Sequence, residues 1–202
     1  MPRRSQEDRS RTTRAALERA GRDLFAERGF AATSAEALVA AAGVTRGALH
    51  HHYGDKRGLF LAVLEQIETE STAEVTAALA PLADDDVLSA MTVGLSTFFD
   101  ICSRPEMLRI VLSDAPTVLG WPAFREFEAR HGLGLLTDQL RRAVDAGVVP
   151  TAPVPVLAQL LLSAITEGSL IVAHAADPAA ARAEVQQSLL LLLGGLLRPA
   201  GT

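Results

Sequence analysis

The chain has 202 residues, with a hydrophobic fraction of 49%, a charged fraction of 21%, a net charge of −5 and one cysteine. Core-forming residues are too plentiful for a disordered chain, and a lone Cys102 excludes an intrachain disulfide and suits a reducing cytoplasm. The charge is split: residues 1–58 hold eleven Lys/Arg against seven Asp/Glu, a net of +4, and the remainder carries −9. A basic first quarter on an acidic chain confines any polyanion contact to that quarter.

In chain order, residues 1–10 are polar and Arg-rich without an apolar segment, so no secretory signal is expected. They read as an arm that orders on binding. Leu17, Ala20, Leu24 and Phe25 form a helical stripe, predicting a first helix over 12–28 with Gly29 as its stop. Thr33-x-x-Glu36 spells a capping box for a second helix over 34–41. Gly43 permits a turn, and a third helix is predicted over about 45–52. Asp55 suits the N-cap of a long helix over 56–79, ended by Pro81. Further helical patterns follow near 86–103, 105–113, 122–146, 154–175 and 178–197, with prolines at their starts or in loops. No alternating strand pattern appears, so the expected fold is all-α. It comprises a three-helix helix-turn-helix headpiece, residues 1–55, fused to a larger helical bundle, residues 56–202. The most apolar run, 156–173, is broken by Gln159, Ser163, Thr166, Glu167 and Ser169, so it reads as buried helix and no membrane contact is expected.

The headpiece carries the chemistry. With Gly43 at the turn, Leu38, Val39 and Leu49 face inward while Thr45, Arg46, Gly47 and His50 face out. Arg46 suits a bidentate contact to guanine or phosphate, and Gly47 removes the Cβ that would hold the backbone off a groove wall. The start of the third helix adds N–H groups aimed at phosphate. Arg46 and His50 are the expected base probes. Thr45, Gly47, His51, Tyr53 and Lys56, with Arg3, Arg4, Arg9 and Arg11, are expected to hold the DNA backbone, and Ser34 is a further expected DNA-binding residue. Tyr53 is also expected to pack its ring into the headpiece.

His50-His51-His52 cannot gather on one metal ion, because neighbouring helical residues diverge by about 100°. No metal or cofactor is expected. Histidine protonation would make DNA affinity fall as pH rises.

Residues 12–62 resemble the DNA-binding domain of the tetracycline-repressor (TetR) family. The matching residues are Phe25, Gly29-Phe30, Thr33-Ser34, Leu38, Ala42-Gly43-Val44-Thr45-Arg46-Gly47, Leu49, His52-Tyr53, Lys56 and Leu59-Phe60. The resemblance implies a homodimer, a helical C-terminal ligand-binding domain, and repression of a DNA operator relieved by a small molecule. Residues 114–121 and 177–184 also resemble one actinobacterial-type subgroup. Ala48 stands where many members have a hydroxyl residue, His50 where they have tyrosine, Tyr53 where they have phenylalanine, and Val39 where alanine is usual. Operator preference therefore does not transfer.

In the second part, Phe98, Phe99, Cys102, Met107, Ile110, Trp121, Phe124 and Phe127 concentrate aromatic and soft side chains. Most such residues build core, but they are also what lines a small-molecule cavity. Glu167 and His174, one above the other on an apolar helix, join Phe98, Phe99, Cys102, Met107, Trp121, Phe124 and Phe127 as candidate ligand residues, with a buried polar or dimer contact as the competing reading. Leu157, Leu160, Leu161, Ala164 and Ile165, with Leu189, Leu190, Leu193, Leu196 and Leu197, exceed one core face and predict a dimer interface. No nucleophile elbow, zinc helix or phosphate-cradling glycine loop is present, so no enzyme is expected. The alternative function is a small-molecule-sequestering helical protein whose headpiece no longer reads specific DNA.

Overall fold

The computed structural model describes residues 6–82 and 86–195; Arg3, Arg4, Leu196 and Leu197 lie outside them. The described residues form helices α1 (Gln6–Ala32), α2 (Ala35–Ala42), α3 (Arg46–Tyr53), α4 (Lys56–Leu79), α5 (Val87–Cys102), a π-helix (Met107–Asp114), α6 (Ala115–Leu119), α7 (Trp121–Arg130), α8 (Gly132–Asp145), α9 (Val154–His174) and α10 (Pro178–Gly194), with no strand among them. They divide into two compact units. One contains the chain up to Ile67 with Pro105–Trp121, and the other contains Glu68–Arg104 with the chain from Pro122.

The first unit is built on Leu17, Phe25, Leu38, Leu59, Phe60, Leu64 and Ile110, all essentially solvent-free. Phe60 meets the rings of Phe25 and Phe30 edge-on, with centroids 5.2 and 5.1 Å apart, a favoured aromatic geometry. Three local readings are corrected. Helix α1 is already formed at Gln6, inside the expected arm, and Glu7 and Asp8 in its first described turn carry the charge that suits a helix N-terminal end. It continues past the expected stop to Ala32 across a kink at Gly29, whose φ of 80° suits glycine. The cap of α2 is Ser34, which accepts from the Ala37 amide at 3.1 Å. The Thr33 hydroxyl is instead buried and donates to the Gly29 carbonyl at 2.8 Å.

The Pro105–Trp121 segment clasps this unit. Arg22 donates twice to Glu106, at 2.6 and 2.8 Å. The Phe30 amide donates to Asp114 at 2.6 Å, and Arg109 reaches the Arg28 carbonyl at 3.1 Å. The ordinary helix expected over 105–113 is a π-helix over Met107–Asp114, with the Ser113 hydroxyl donating to the Leu108 carbonyl at 2.7 Å.

In the second unit, Leu140, Val154, Ala158 and Leu161 form one core cluster, backed by Met91, Leu136, Leu157 and Leu193. Val87, Ala143 and Val149 form another. Gly168 lets α9 and α10 approach closely, since a Cβ there would sit 2.6 Å from Val185 Cγ1. The single helix expected over 122–146 is two, α7 and α8, broken at His131, whose ψ of −117° is non-helical. By length and composition α9 is apolar enough to cross a membrane. Its inner face, Ala158, Leu161, Ile165, Gly168 and Val172, is buried, and the helix packs on α8 and α10.

Candidate nucleic-acid interface and effector cavity

Helices α2 and α3 meet at Gly43, whose φ of 64° is left-handed and whose amide closes α2 onto the Ala40 carbonyl. Thr45 then caps α3, its hydroxyl accepting from the Ala48 amide at 3.3 Å. Leu38 and Leu49 are the buried residues of the pair, and this fixes the opposite faces outward. Ser34, Thr45, Arg46, Gly47, His50 and His51 are all exposed. Arg46 pairs with Glu36 of α2 at 2.9 Å, both side chains well solvated, an arrangement a polyanion can break at small cost. A Cβ on Gly47 would approach only the Thr45 hydroxyl, at 3.8 Å, so the surface there is open.

His50 Nδ1 lies 2.7 Å from the Gly54 carbonyl. A carbonyl only accepts, so Nδ1 carries the hydrogen and a neutral His50 presents Nε2 as an acceptor. The three histidines do not converge: His51 and His52 stack edge-on, centroids 4.9 Å apart, while His50 turns to Gly54. Burial, His51 and Arg14 hold His52 below the usual histidine range.

Tyr53 and Lys56 have structural partners. The half-buried Tyr53 gives its hydroxyl hydrogen to Glu18 at 2.8 Å, and burial with that carboxylate raises the phenol's pKa. Lys56 Nζ donates to the carbonyls of Phe30 and Thr33, both at 2.8 Å, and stands 4.1 Å from the Phe30 ring centroid. It clamps the end of α1 to the start of α4. At most one ammonium hydrogen remains for phosphate.

Sequence reasoning missed part of this face. Ser10, Thr13 and Arg14 of α1 line a shallow groove with Glu7, Arg9, Thr45, Ala48, His51 and His52. The signal was the spacing of Arg9/Thr13 and Ser10/Arg14, which puts polar and basic groups on one side of a helix that extends further forward than expected. Arg11 pairs with Asp8 at 2.7 Å.

The second unit contains a cavity of about 70 Å³, on a scale where one water needs roughly 10–15 Å³. Its walls come from α4, α5, α8, α9 and α10 and are almost wholly apolar, with Glu68, Ser71, Thr72 and Gln139 as the polar exceptions. Of the expected ligand residues only Phe98 lines it. Phe99, Cys102, Phe124 and Phe127 are core, and Met107 is buried in the first unit. Trp121, 61% exposed, belongs to neither core nor cavity. Glu167 and His174 are exposed rather than buried, because the small and branched residues of α9 claim its inner face. Burial and the nearby Glu68 charge push the Cys102 thiol up to about 12.

A capped helix pair around a left-handed glycine, with donors and cations on the outer face of its second helix, defines a helix-turn-helix DNA-binding protein. Residues 18–63 match the family of bacterial regulatory proteins named for tetR, and residues 88–196 match the tetracyclin repressor-like C-terminal domain. The HTH-type transcriptional repressor Rv1474c of Mycobacterium tuberculosis is 32% identical over 74% of this chain and 75% of its own length. A TetR-family transcriptional regulator from Pectobacterium atrosepticum superposes with a TM-score of 0.79 at 36% identity, covering 97% of this chain and 99% of that one. The HTH-type transcriptional regulator CymR of Pseudomonas putida is 36% identical, but this chain spans only about half of it, 48%. The chain belongs to the TetR family of transcriptional regulators.

Proposed function

We propose that the chain is a dimeric repressor that binds a palindromic operator and leaves it when a small molecule fills the cavity of the second unit. The observation that carries this reading is the shared exposed face of Thr45, Arg46, Gly47, His50 and His51 on and before α3. Arg46, freed from Glu36, and His50, through Nε2, probe base edges in the major groove. Ser34, Thr45, Gly47, His51, Thr13 and Arg14 hold phosphates, and the remaining Lys56 hydrogen adds charge neutralisation.

The proposed division of labour runs at residue 55: residues 1–55 read DNA, and 56–202 bind effector and partner. A second copy of the chain covers the outer faces of α9 and α10, where Leu160 is 63% and Leu191 72% exposed beside Val156, Ile171, Leu190 and Leu192. Apolar exposure on that scale on paired helices supports an isologous interface. In the dimer the two α3 helices reach half-sites about one helical turn, ~34–36 Å, apart. Helix α4 supplies Lys56 to the headpiece and Glu68, Thr72 and Val75 to the cavity wall, so an effector that prefers one position of α4 shifts the DNA-bound population. A DNA target supports a cytoplasmic location.

The test is a footprint on the DNA upstream of the protein's own gene. Two protected half-sites of opposite orientation support the reading. Uniform, salt-sensitive protection would favour a headpiece that does not read sequence.

A further inference from the structure

A hydroxyl side chain on a helix can turn back and donate to the carbonyl four residues earlier. On helices that wall the cavity, Thr76 of α4, Thr92 of α5 and Thr137 of α8 do so, at 2.8, 2.9 and 2.7 Å. Thr72, one turn before Thr76, does not. Its hydroxyl oxygen is buried and has no hydrogen-bond partner among the described residues. The same residue lines the cavity. Of the other polar residues in the wall, Glu68 and Ser71 have interactions of their own. Buried polar atoms are almost always bonded, so an orphaned hydroxyl beside an open space marks where a bound molecule completes the bonding. Around it Val75, Met91, Phe98 and Leu162 supply apolar surface. The space suits several waters, or a molecule of roughly ten non-hydrogen atoms.

We infer that the cavity takes a small, largely apolar molecule carrying one hydroxyl or carbonyl group, which pairs with the Thr72 hydroxyl. A hydroxyl both donates and accepts, so either group completes it. A hydrocarbon of the same shape would leave the oxygen unpaired, and a site built around a hydrogen bond discriminates against such a molecule. This rule rests on the reading of the cavity as the effector site.

Two probes of matched shape test it: 4-ethylphenol, and 4-ethyltoluene, in which a methyl group replaces the hydroxyl. Each is titrated calorimetrically into the full-length protein and into variants at Thr72 and Gly94. Thr72→Val keeps the shape and removes the hydroxyl, Thr72→Ser keeps the hydroxyl, and Gly94→Leu extends a side chain from the α5 wall. The phenol-to-hydrocarbon affinity ratio should fall at least about tenfold in Thr72→Val, a coupling of about 1.4 kcal/mol, and stay within about threefold of wild type in Thr72→Ser. Gly94→Leu should weaken both probes. With no probe present, Thr72→Val should hold or raise the Tm, because it deletes a polar atom that has no bond to lose. A ratio unchanged in Thr72→Val, or a Tm that falls by several degrees, overturns the Thr72 rule. If Gly94→Leu still weakens both probes in that case, the cavity stands as the site. Binding of neither probe, or binding that Gly94→Leu does not touch, overturns the cavity reading and the Thr72 rule with it.

Discussion

The ammonium of Lys56 and the aromatic ring of Phe30, 26 positions apart in sequence, lie 4.1 Å apart, with Lys56 also bonded to the Phe30 carbonyl at 2.8 Å. This contact ties the kinked end of α1 to the first turn of α4. Lys56→Met keeps the aliphatic stem but removes the charged donor from the carbonyls of Phe30 and Thr33, leaving Phe30 only the Thr33 amide at 3.3 Å. It should cost about 2 kcal/mol, as expected for losing hydrogen bonds from a charged group, and lower the Tm by several degrees. A Lys56→Met protein with unchanged Tm but weaker DNA binding would mean that Lys56 acts on phosphate alone.

Two glycines should separate function from folding. Gly47→Ala meets open space and adds a better helix former, so Tm should hold or rise while operator affinity falls at least about tenfold. Gly58→Ala would drive its Cβ into the Tyr53 carbonyl oxygen at the α3–α4 turn, so it should destabilise the fold by roughly 2 kcal/mol or more. Thermal melts with anisotropy titrations on labelled DNA check both.

Glu36 competes with DNA for Arg46. Glu36→Gln removes the carboxylate that holds the guanidinium at 2.9 Å and one negative charge from the binding face. DNA affinity should rise several-fold, more at low salt than at high salt, with almost no change in Tm because the pair is solvent-exposed. A fall in affinity would show instead that Glu36 orients Arg46 for the groove.

Cys102 should be inert while the protein is folded. It is solvent-free, and its thiol holds its proton to about 12. Ellman's reagent should label it only at the rate of unfolding. In the folded state the thiol stays protonated from its ordinary value near 9 up to about 12, a window in which the unfolded thiol has lost its proton. The folded state then binds more protons, so stability declines as pH rises through that window. Urea melts at pH 8 and 10.5 should show this decline, and Cys102→Ala, though less stable overall, should lose that part of it.

The headpiece was legible in the sequence because each of its devices is local. A left-handed glycine at 43, a hydroxyl cap at 45 and inward leucines at 38 and 49 leave one arrangement open. The neighbouring hydroxyls at 33 and 34 were harder: both can cap, and burial of Thr33 beneath α1 hands the cap to Ser34. The π-helix left no local signature, since its register is accompanied by contacts from Glu106 and Asp114 to residues 84 positions earlier in sequence. The cavity was the least legible, because the same apolar residue types build core and cavity walls. Phe98 lines the space and Phe99, one residue on, is core. The readable clue was on α4, where Glu68, Ser71, Thr72 and Val75 follow helical spacing and place polar groups along an otherwise apolar wall.

The central claim is that the α3 face reads sequence. Fluorescence anisotropy with the footprinted upstream duplex and a scrambled duplex of equal length, at one salt concentration, tests it for wild type and Arg46→Ala. Wild type should bind the upstream duplex at least about a thousandfold more tightly than the scrambled one. Arg46→Ala should lose tenfold or more of that ratio with its Tm unchanged. Equal affinity of wild type for the two duplexes, or a ratio that Arg46→Ala leaves intact, would contradict the account.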